Sequence, residues 1–240
     1  MTIHDLSFER DPSVMSRRDR LVFKAVVPRA ARKAVRVLAV SERTKADVIE
    51  LYGVPAERIA VTSHGVDPVF CPGDDAPGSY VLFVGAVQSR KNPLAAADAA
   101  VAVGLPLVVA GPVRDAALAR ELERRGADLR GYVTKMELAA LYRDAACLVM
   151  PSRYEGFGLP VLEAMASGTP VVASPDPALQ EVAREAAVFV EPERFADGIR
   201  QALSQHSRLR AEGLERARAF TWDETARRTV AVYREVLGLL

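Results

Sequence analysis

The segment from residue 147 to 174 limits the fold of this chain more than any other. An apolar run, Cys147–Met150, is typical of a buried strand, and a polar turn with two glycines follows it. A helix is predicted to begin at Leu159 and Pro160, because proline suits the first turn of a helix. A second short apolar run, Val171–Ala173, comes next. Strand, glycine turn, helix and strand in succession indicate one repeat of an α/β fold.

The same alternation extends along most of the chain. The predicted strands are Val35–Val40, Ile59–Ser63, Tyr80–Val84, Leu107–Ala110, Cys147–Met150, Val171–Ala173 and Val188–Val190. The predicted helices are Arg17–Lys33, Lys45–Tyr52, Pro93–Val103, Arg114–Arg125, Lys135–Asp144, Pro160–Ala166, Pro177–Arg184, Phe195–Ser204, Leu209–Phe220 and Trp222–Leu237. Because the strands are nearly continuous apolar runs, we expect parallel sheets covered by helices on both faces.

A domain boundary is predicted near residues 65–79, which contain three prolines and three glycines. Residues 67–220 then form a complete Rossmann-like domain. Residues 1–66 hold only two or three strands, fewer than the roughly 4–6 of a typical sheet. We therefore expect a remnant of an N-terminal domain whose first part is absent from this chain. Residues 221–240 are predicted as a final helix, opened by a capping box of Thr221 and Glu224.

Composition excludes several classes of function. The net charge of +1 on 240 residues gives no general attraction to nucleic acid. No apolar run approaches the ~20 residues of a membrane span. The two cysteines are expected to be free thiols in a reducing cytoplasm, with Cys147 in the core. The chain has neither a D-x-D motif nor histidines or cysteines at metal-binding spacing, so we expect no metal ion and no cofactor.

The turn between residues 151 and 160 is predicted to bind anionic oxygens. Gly156 and Gly158 allow a ligand to approach the backbone, and the amides at the helix start favour negative charge. Glu155 and Glu163 flank this turn. Glu163 fits two interpretations about equally well: an acceptor for a ribose diol, or a carboxylate that only stabilises the first helical turn through the helix dipole.

A second loop, residues 85–93, also follows a predicted strand and carries Arg90 and Lys91. These cations could bind phosphate oxygens or form a solvated turn. Two anion-binding loops at one sheet edge favour a diphosphate ligand. A third loop contains Tyr132 and Val133, which could border a nucleobase; the residues alone slightly favour a plain turn.

Several of these segments, in order, resemble the retaining glycosyltransferases of family 4, the group 1 class with the GT-B fold. Y-E-G-F-G-L-P-V-L-E resembles the E-x7-E motif of that family, with Glu155 and Glu163 at its ends. V-L-F-V-G-A-V-Q-S-R-K-N-P resembles the first strand and diphosphate loop of its C-terminal domain, and M-T-I-H-D-L-S-F its strand-end histidine motif. The resemblance covers nearly the whole chain.

The resemblance implies a role for each matching residue. Glu155 and His4 would be catalytic, beside the donor sugar and the acceptor. The implied donor-binding residues are Gly85, Arg90 and Lys91 for the diphosphate, Gly156, Phe157, Gly158 and Leu159 for the sugar and phosphates, Glu163 for the ribose, and Tyr132 and Val133 for the base. His64 stands where the family often has Asn, a change expected to affect the hinge more than the chemistry.

The implied activity is transfer of a hexose from a GDP-sugar or UDP-sugar to a hydroxyl of a glycan or lipid-linked acceptor, with retention of the anomeric configuration. Two alternatives stay open because N-terminal strands are expected to be missing. The chain could be a non-catalytic nucleotide-sugar-binding module, or an inactive truncated fragment.

Two predicted helices have surfaces that could contact a membrane or a second protein chain. The segment Ser16–Arg36 holds eight Lys or Arg and one Asp. We favour a solvated basic face with Leu21, Val22, Ala25 and Val26 on the core, over a helix lying on anionic lipid at the inner face of the membrane. The final helix is amphipathic, and we expect exposed apolar surface or a homo-oligomer there.

Overall fold

The computed structural model describes residues 1–11, 15–74, 76 and 78–239. Of the predicted linker, Asp75 and Pro77 lie outside the described residues, as does Leu240 at the chain end. The chain divides into two compact units. Unit 1 comprises Met1–Gly65, Tyr154–Phe157 and Phe220–Leu240; unit 2 comprises Val66–Arg153 and Gly158–Ala219.

Strands and helices alternate in both units. In the described part of the chain the strands are β1 (Thr2–Ile3), β2 (Val37–Ala39), β3 (Ile59–Val61), β4 (Tyr80–Val84), β5 (Leu107–Ala110), β6 (Asp128–Gly131), β7 (Ala145–Met150), β8 (Val171–Ala173) and β9 (Val188–Phe189). The helices there are α1 (Ser7–Arg10), α2 (Arg17–Lys33), α3 (Glu42–Tyr52), α4 (Pro93–Val103), α5 (Ala116–Arg124), α6 (Lys135–Arg143), α7 (Leu159–Ala166), α8 (Pro177–Ala183), α9 (Phe195–Ser204), α10 (His206–Ala217) and α11 (Trp222–Leu237).

The sheet of unit 2 contains β4 to β9 in the spatial order β6-β5-β4-β7-β8-β9, with every pair parallel. Within this sheet the first strand in sequence is the central β4. The next two strands, β5 and β6, extend the sheet to one side, and β7 then pairs with β4 on its other side. The direction of winding therefore reverses between β4 and β7. This confirms the predicted α/β fold class, and the reversal creates a crevice at the carboxyl ends of these two strands.

The central strands of unit 2 are buried because helices cover both faces of the sheet. Phe83, Val109 and Val149 are at most 1% exposed, and they pack with Phe195 of α9 among other residues. Cys147 also belongs to this core, as predicted, and burial raises the pKa of its thiol to about 12. The thiol is therefore protonated at neutral pH.

The sheet of unit 1 contains three parallel strands in the order β1-β2-β3. Its core includes Ile3, Val37, Val48 and Tyr52, from both strands and helices. Helix α11 also belongs to this unit, and none of its residues is fully buried. Its exposed side chains include those of Trp222, Val230, Tyr233, Val236 and Leu237. The predicted exposed apolar surface on this helix is thus present.

Unit 1 also contains a buried carboxylate, Asp47, whose side chain is 2% exposed. Its oxygens lie 2.6 Å from Arg10 Nη2 and 3.0 Å from Arg43 Nε. The hydroxyl of Tyr154 donates to the same carboxylate over 2.8 Å and accepts a hydrogen bond from the amide of Leu6. Asp47 therefore joins α1, α3 and the segment that carries Tyr154.

The edge strand β6 was not predicted, because residues 129–134 were interpreted as a loop. Its sequence, D-L-R-G, contains a single apolar residue, Leu129, so it lacks an apolar run. Pairing with β5 extends the strand despite that composition. Backbone pairing, rather than propensity, decides the structure at a sheet edge.

The interpretation of α2 that we favoured is wrong. Leu21 is 71% exposed, Val22 54% and Val26 57%, and Ala25 is also exposed. Ala31 is the one α2 residue that is fully buried. The helix packs on the rest of unit 1 mainly through its C-terminal half, where Val27 and Ala31 meet the core. The apolar stripe in its first half therefore faces solvent.

The capping box at Thr221 is only half formed. The Thr221 hydroxyl accepts from the amide of Glu224, but the Glu224 carboxylate binds Arg227 and Arg228 instead of the Thr221 amide. A complete capping box occurs at the start of α6, between Thr134 and Glu137. Within the described ranges, no helix has the length and apolar character that crossing a membrane requires.

Replacing Asp47 with alanine should destabilise unit 1 by about 3–5 kcal/mol, because the change removes the buried carboxylate that pairs with the guanidinium groups of two arginines. Urea unfolding followed by fluorescence reports on this unit, since Trp222 is the single tryptophan of the chain. The matched control is Glu50→Ala, which removes the exposed second partner of Arg10 and should cost less than about 1 kcal/mol. Equal effects of the two changes would contradict a structural role for the buried pairing.

Candidate functional site

The crevice between β4 and β7 brings two of the predicted loops together. Residues 85–92 follow β4, and residues 151–158 follow β7. The amide of Arg153 donates to the carbonyl of Arg90 over 3.0 Å, so the two loops are joined by a backbone hydrogen bond. The structure thus places both sequence-predicted anion loops at the point where open α/β sheets bind ligands.

The loop after β4 positions the two predicted cations. It turns at Gly85, whose φ of +149° is rare for residues with side chains, and forms a 3-10 turn over Ser89–Lys91. A Cβ atom at Gly85 would lie 3.7 Å from Cε of Lys91, so the lysine side chain runs past the end of β4. Arg90 is 8% exposed.

A third glycine, Gly111, brings the end of β5 against this loop. A Cβ atom there would lie 2.1 Å from the carbonyl oxygen of Gly85, closer than any side chain allows. The amide of Gly111 donates to the carbonyl of Gly131 at the end of β6. The contact of Gly111 with the loop after β4 could not be read from the sequence.

Helix α7 begins at Leu159, and its N-cap is Gly158, which has φ of +106°. A Cβ atom at Gly158 would lie 2.5 Å from Cδ2 of Leu179, so both its conformation and its neighbours require glycine. In the described part of the chain, no side chain caps the start of α7. The backbone amides there are not capped by side chains of the protein, as an anion site requires.

Glu163 lies in the second turn of α7, not in the first as predicted, so the helix-dipole interpretation loses its basis. Its carboxylate accepts a hydrogen bond of 2.9 Å from the hydroxyl of Tyr142, which is fully buried in α6. Burial raises the pKa of Glu163 to about 7, and the Tyr142 hydrogen bond acts in the opposite direction. Lys135, 2.6 Å from Asp67, also lowers this pKa.

Sequence analysis missed Tyr142, Lys135 and Asp67 as neighbours of Glu163. Tyr142 lies in an apolar helical pattern, where it appeared to be a core residue, and its ring does pack edge-on against Phe70. Only the fold shows that its hydroxyl meets a carboxylate. The pairing of Asp67 with a lysine 68 residues away depends on the tertiary structure.

The predicted base-binding residues follow β6, which lies on the side of β4 away from β7. Tyr132 follows β6 directly and is 88% exposed, and Val133 is partly exposed. Strand β6 is two strands away from β4, a distance of about 10 Å at normal strand spacing. The role of these two residues stays a prediction.

The segment Tyr154–Phe157, part of unit 1, is bound firmly within that unit. The carbonyl of Gly156 accepts from Ser41 Oγ over 2.5 Å and from Thr44 Oγ1 over 3.1 Å. A Cβ atom at Gly156 would lie 2.2 Å from the carbonyl oxygen of His4. Gly156 is thus required for close packing here, a role the sequence did not indicate. Within the same segment, Glu155 is buried, 6% exposed.

His4 lies directly after β1 and is exposed, and His64 lies beside it. Nδ1 of His4 and Nε2 of His64 are 3.4 Å apart. Burial, followed by the nearby His4, lowers the pKa of His64. We expected His64 to influence the hinge rather than the chemistry; the structure instead puts it in contact with a predicted catalytic residue.

Comparison with known proteins identifies the family. The family profile described as glycosyl transferases group 1 matches residues 78–205, which is more than half of the chain, and the profile of glycosyltransferase family 4 matches residues 1–70. The chain belongs to the group 1 glycosyltransferases. Both profiles agree with the resemblance drawn from the E-x7-E and diphosphate-loop segments.

This group 1 glycosyltransferase chain is similar to several curated relatives. O-antigen chain mannosyltransferase B of Escherichia coli is 29% identical over 97% of this chain and 69% of its own length. D-inositol 3-phosphate glycosyltransferase 1 of Catenulispora acidiphila is 35% identical over 85% of this chain and 58% of its own length. MMP alpha-(1->4)-mannosyltransferase of Mycolicibacterium hassiacum is 32% identical over 90% of this chain and 58% of its own length. The chain thus spans between 58% and 69% of these three relatives.

Solved structures of GT-B glycosyltransferases have the same fold. Sucrose-phosphate synthase from Thermosynechococcus elongatus matches with a TM-score of 0.83 at 23% identity, covering all of this chain and 68% of its own. The Anabaena protein HepE, solved in complex with UDP and glucose, matches with a TM-score of 0.80 at 20% identity, covering all of this chain and 71% of its own. These matches confirm the predicted GT-B fold class.

The Glu163 carboxyl should titrate near pH 7, because burial raises its pKa. Since the folded state binds this proton more tightly than the unfolded state, stability should fall as pH rises from about 4.5 to about 7. Tyr142→Phe removes the hydrogen bond to the charged form and should move the midpoint higher still. Carbon-13 NMR of the glutamate side chains measures this midpoint.

The matched control is Tyr80→Phe, which removes a nearby hydroxyl that donates to the Leu141 carbonyl rather than to a carboxylate. It should leave the Glu163 titration unchanged. A Glu163 midpoint near that of a free glutamate, or one that Tyr142→Phe does not alter, would refute the proposed interaction.

Proposed function

We propose that this chain carries the donor-binding part of a retaining hexosyltransferase. The reaction moves a hexose from a nucleotide diphosphate sugar, GDP- or UDP-linked, to a hydroxyl of a glycan or lipid-linked acceptor. The observation that carries this proposal is the joining of the loops after β4 and β7 by the Arg153–Arg90 hydrogen bond. Those loops bring two cations and an α7 N-terminus without a side-chain cap to one crevice.

The diphosphate is the ligand group that this arrangement suits best. Lys91 runs past Gly85, where no side chain stands in the way. As the bond between the anomeric carbon and the phosphate oxygen breaks, negative charge grows on the departing diphosphate. Arg90, Lys91 and the amide of Leu159, the first residue of α7, would stabilise this charge more in the transition state than in the ground state. We propose that these groups act without a metal ion.

We propose sites for the ribose and the base beside this diphosphate site. The ionised carboxylate of Glu163 can accept two hydroxyl groups of a ribose, and Tyr142 holds one of its oxygens. The exposed ring of Tyr132, about 10 Å along the sheet edge from β4, suits stacking with a base. HepE was solved in complex with UDP-glucose, and the E. coli and Mycolicibacterium relatives are named as mannosyltransferases.

The two proposed catalytic groups lie in unit 1. Glu155 lies in the segment that Ser41 and Thr44 hold through the Gly156 carbonyl. His4 follows β1, and its side chain is exposed. We propose that both act at the sugar and the acceptor hydroxyl, as their positions in the family motifs imply. A non-catalytic donor-binding module is the rival function, because the chain spans less than 70% of the relatives above.

Isothermal calorimetry with GDP-mannose and UDP-glucose, combined with a product assay, tests this function. We expect one of the two donors to bind and to be turned over. Lys91→Ala should lower turnover by about 10²–10³-fold, the usual effect of losing one group that stabilises developing charge. Lys45→Ala removes an equal charge from α3 of unit 1 and should leave turnover within about twofold.

The outcomes separate the alternatives. Binding that Lys91→Ala weakens, with no product in any assay, would establish the donor-binding module instead of the transferase. Absence of binding to both donors would overturn the assignment of the crevice. Activity that persists in Lys91→Ala would remove this lysine from the mechanism.

We further propose that α2 holds this protein on anionic membranes at the cytoplasmic face, where a lipid-linked acceptor would be found. The exposed Leu21, Val22 and Val26 form an apolar face in the middle of the helix. Arg17, Arg18, Arg29 and Lys33 lie exposed at its two ends, and they form no ion pair with any residue in the described part of the chain. Apolar side chains between basic ends complement an anionic lipid surface. Association through α11 into a homo-oligomer stays a prediction.

Sedimentation with phosphatidylglycerol vesicles tests the lipid proposal, with phosphatidylcholine vesicles as the neutral comparison. We expect binding to the anionic vesicles alone. Val26→Glu should lower the partition coefficient by roughly tenfold, because it adds a negative charge and removes apolar area. Val101→Glu makes the same change at an exposed position on α4 and should have little effect. Equal binding to both lipids, or equal effects of both variants, would exclude α2 as the membrane surface.

A further inference from the structure

The imidazole rings of His4 and His64 lie next to each other and nearly parallel within unit 1. Their planes differ by only 10°, and their centroids are 5.4 Å apart. The distance between His4 Nδ1 and His64 Nε2 is 3.4 Å, much shorter than the centroid distance. The two nitrogens therefore face each other across the gap between the rings, as in an N–H···N hydrogen bond.

His64 is the fixed member of this pair. The ring of Phe157 meets it edge-on at 5.2 Å, and the ring of Trp222 lies at 5.6 Å. A Cβ atom at the next residue, Gly65, would lie 2.2 Å from the amide nitrogen of Trp222, so the backbone here is packed tightly against the start of α11. The preceding carbonyl, of Ser63, accepts from the Thr225 hydroxyl over 2.7 Å.

His4 is the exposed member of the pair. A neutral histidine carries one N–H and one lone pair, and a partner at one nitrogen decides which nitrogen keeps the proton. A half-buried, neutral His64 can exchange one hydrogen bond with His4 in either protonation state of His4. It donates to neutral His4 or accepts from protonated His4.

We propose that His64 is a positioning residue for His4. The hydrogen bond between His64 Nε2 and His4 Nδ1 orients the His4 ring and leaves Nε2 of His4 as the nitrogen that meets a hydroxyl of the acceptor or sugar. This inference deepens the proposed function, because the use of His4 Nε2 rests on it. The orientation of the His4 ring, in contrast, can be measured whether or not the protein is an active transferase.

The geometry predicts which substitutions preserve the effect. In histidine, Nε2 is two bonds beyond Cγ, and the terminal atoms of glutamine extend equally far. Those of asparagine end one bond beyond Cγ, at the level of Nδ1. His64→Gln should therefore keep a partner for His4 Nδ1, whereas His64→Asn and His64→Phe should lose it.

Long-range proton–nitrogen NMR tests the hydrogen bond without any substrate, and it needs the assignment of only three histidines. In the wild-type protein, the Nδ1 and Nε2 resonances of His4 should show a strongly biased population of one neutral tautomer. His64→Phe should shift that population toward the mixture of a free imidazole, and His64→Gln should retain the bias. His206→Phe, in unit 2, is the control and should leave the His4 signals unchanged.

Turnover supplies the functional readout if the transferase assay succeeds. His64→Asn and His64→Phe should lower kcat about tenfold, the effect of losing one orienting hydrogen bond, with donor KM unchanged. His64→Gln should stay within about threefold of wild type.

His4 signals that are the same in wild type, His64→Phe and His64→Gln would overturn the positioning role, provided that thermal unfolding shows all three to be folded. Biased His4 signals without turnover would instead leave the positioning intact and count against the transferase.

Discussion

The backbone hydrogen bond from Arg153 to Arg90 spans the crevice between β4 and β7, and the rest of the site depends on it. Parallel strands deliver all of their following loops to one edge of a sheet, and a reversal of winding leaves a gap at that edge. Here the hydrogen bond from Arg153 to Arg90 holds the loop after β4, which carries both cations, against the loop after β7, which leads into α7. Gly111 allows the end of β5 to approach the carbonyl of Gly85, and Gly158 leaves room for the side chain of Leu179 at the start of α7.

Two carboxylates, the buried Asp47 and the partly buried Glu163, show how the surroundings decide what a charged group can do. Asp47 is surrounded by two arginines and a tyrosine hydroxyl, so its charge is balanced and it serves to hold unit 1 together. Glu163 has one tyrosine hydroxyl and a lysine already paired with Asp67, and burial raises its pKa to about 7. A carboxylate whose charge is so poorly compensated is suited to receive hydrogen bonds from a ligand.

The sequence predicted the interior of the fold well and its edges poorly. Strands β4, β5 and β8 and helices α2, α4, α9 and α11 begin and end where predicted, because apolar periodicity, prolines and glycines mark those boundaries locally. Strand β6 was missed because backbone pairing alone forms it. The exposed stripe of α2 was predicted to be buried, because periodicity gives the face of a helix but not what covers it.

What the sequence by itself determined is the α/β class, the family and the loops that carry Arg90, Lys91, Glu155 and Glu163. These depend on residue types at short spacing, which local patterns preserve. Only the tertiary structure decided that Tyr142 binds Glu163, that Gly156 packs on His4, and that His64 meets His4. Each of these contacts joins residues at least 21 positions apart, and such a distance is set by the packing of whole strands and helices rather than by any local preference of the chain.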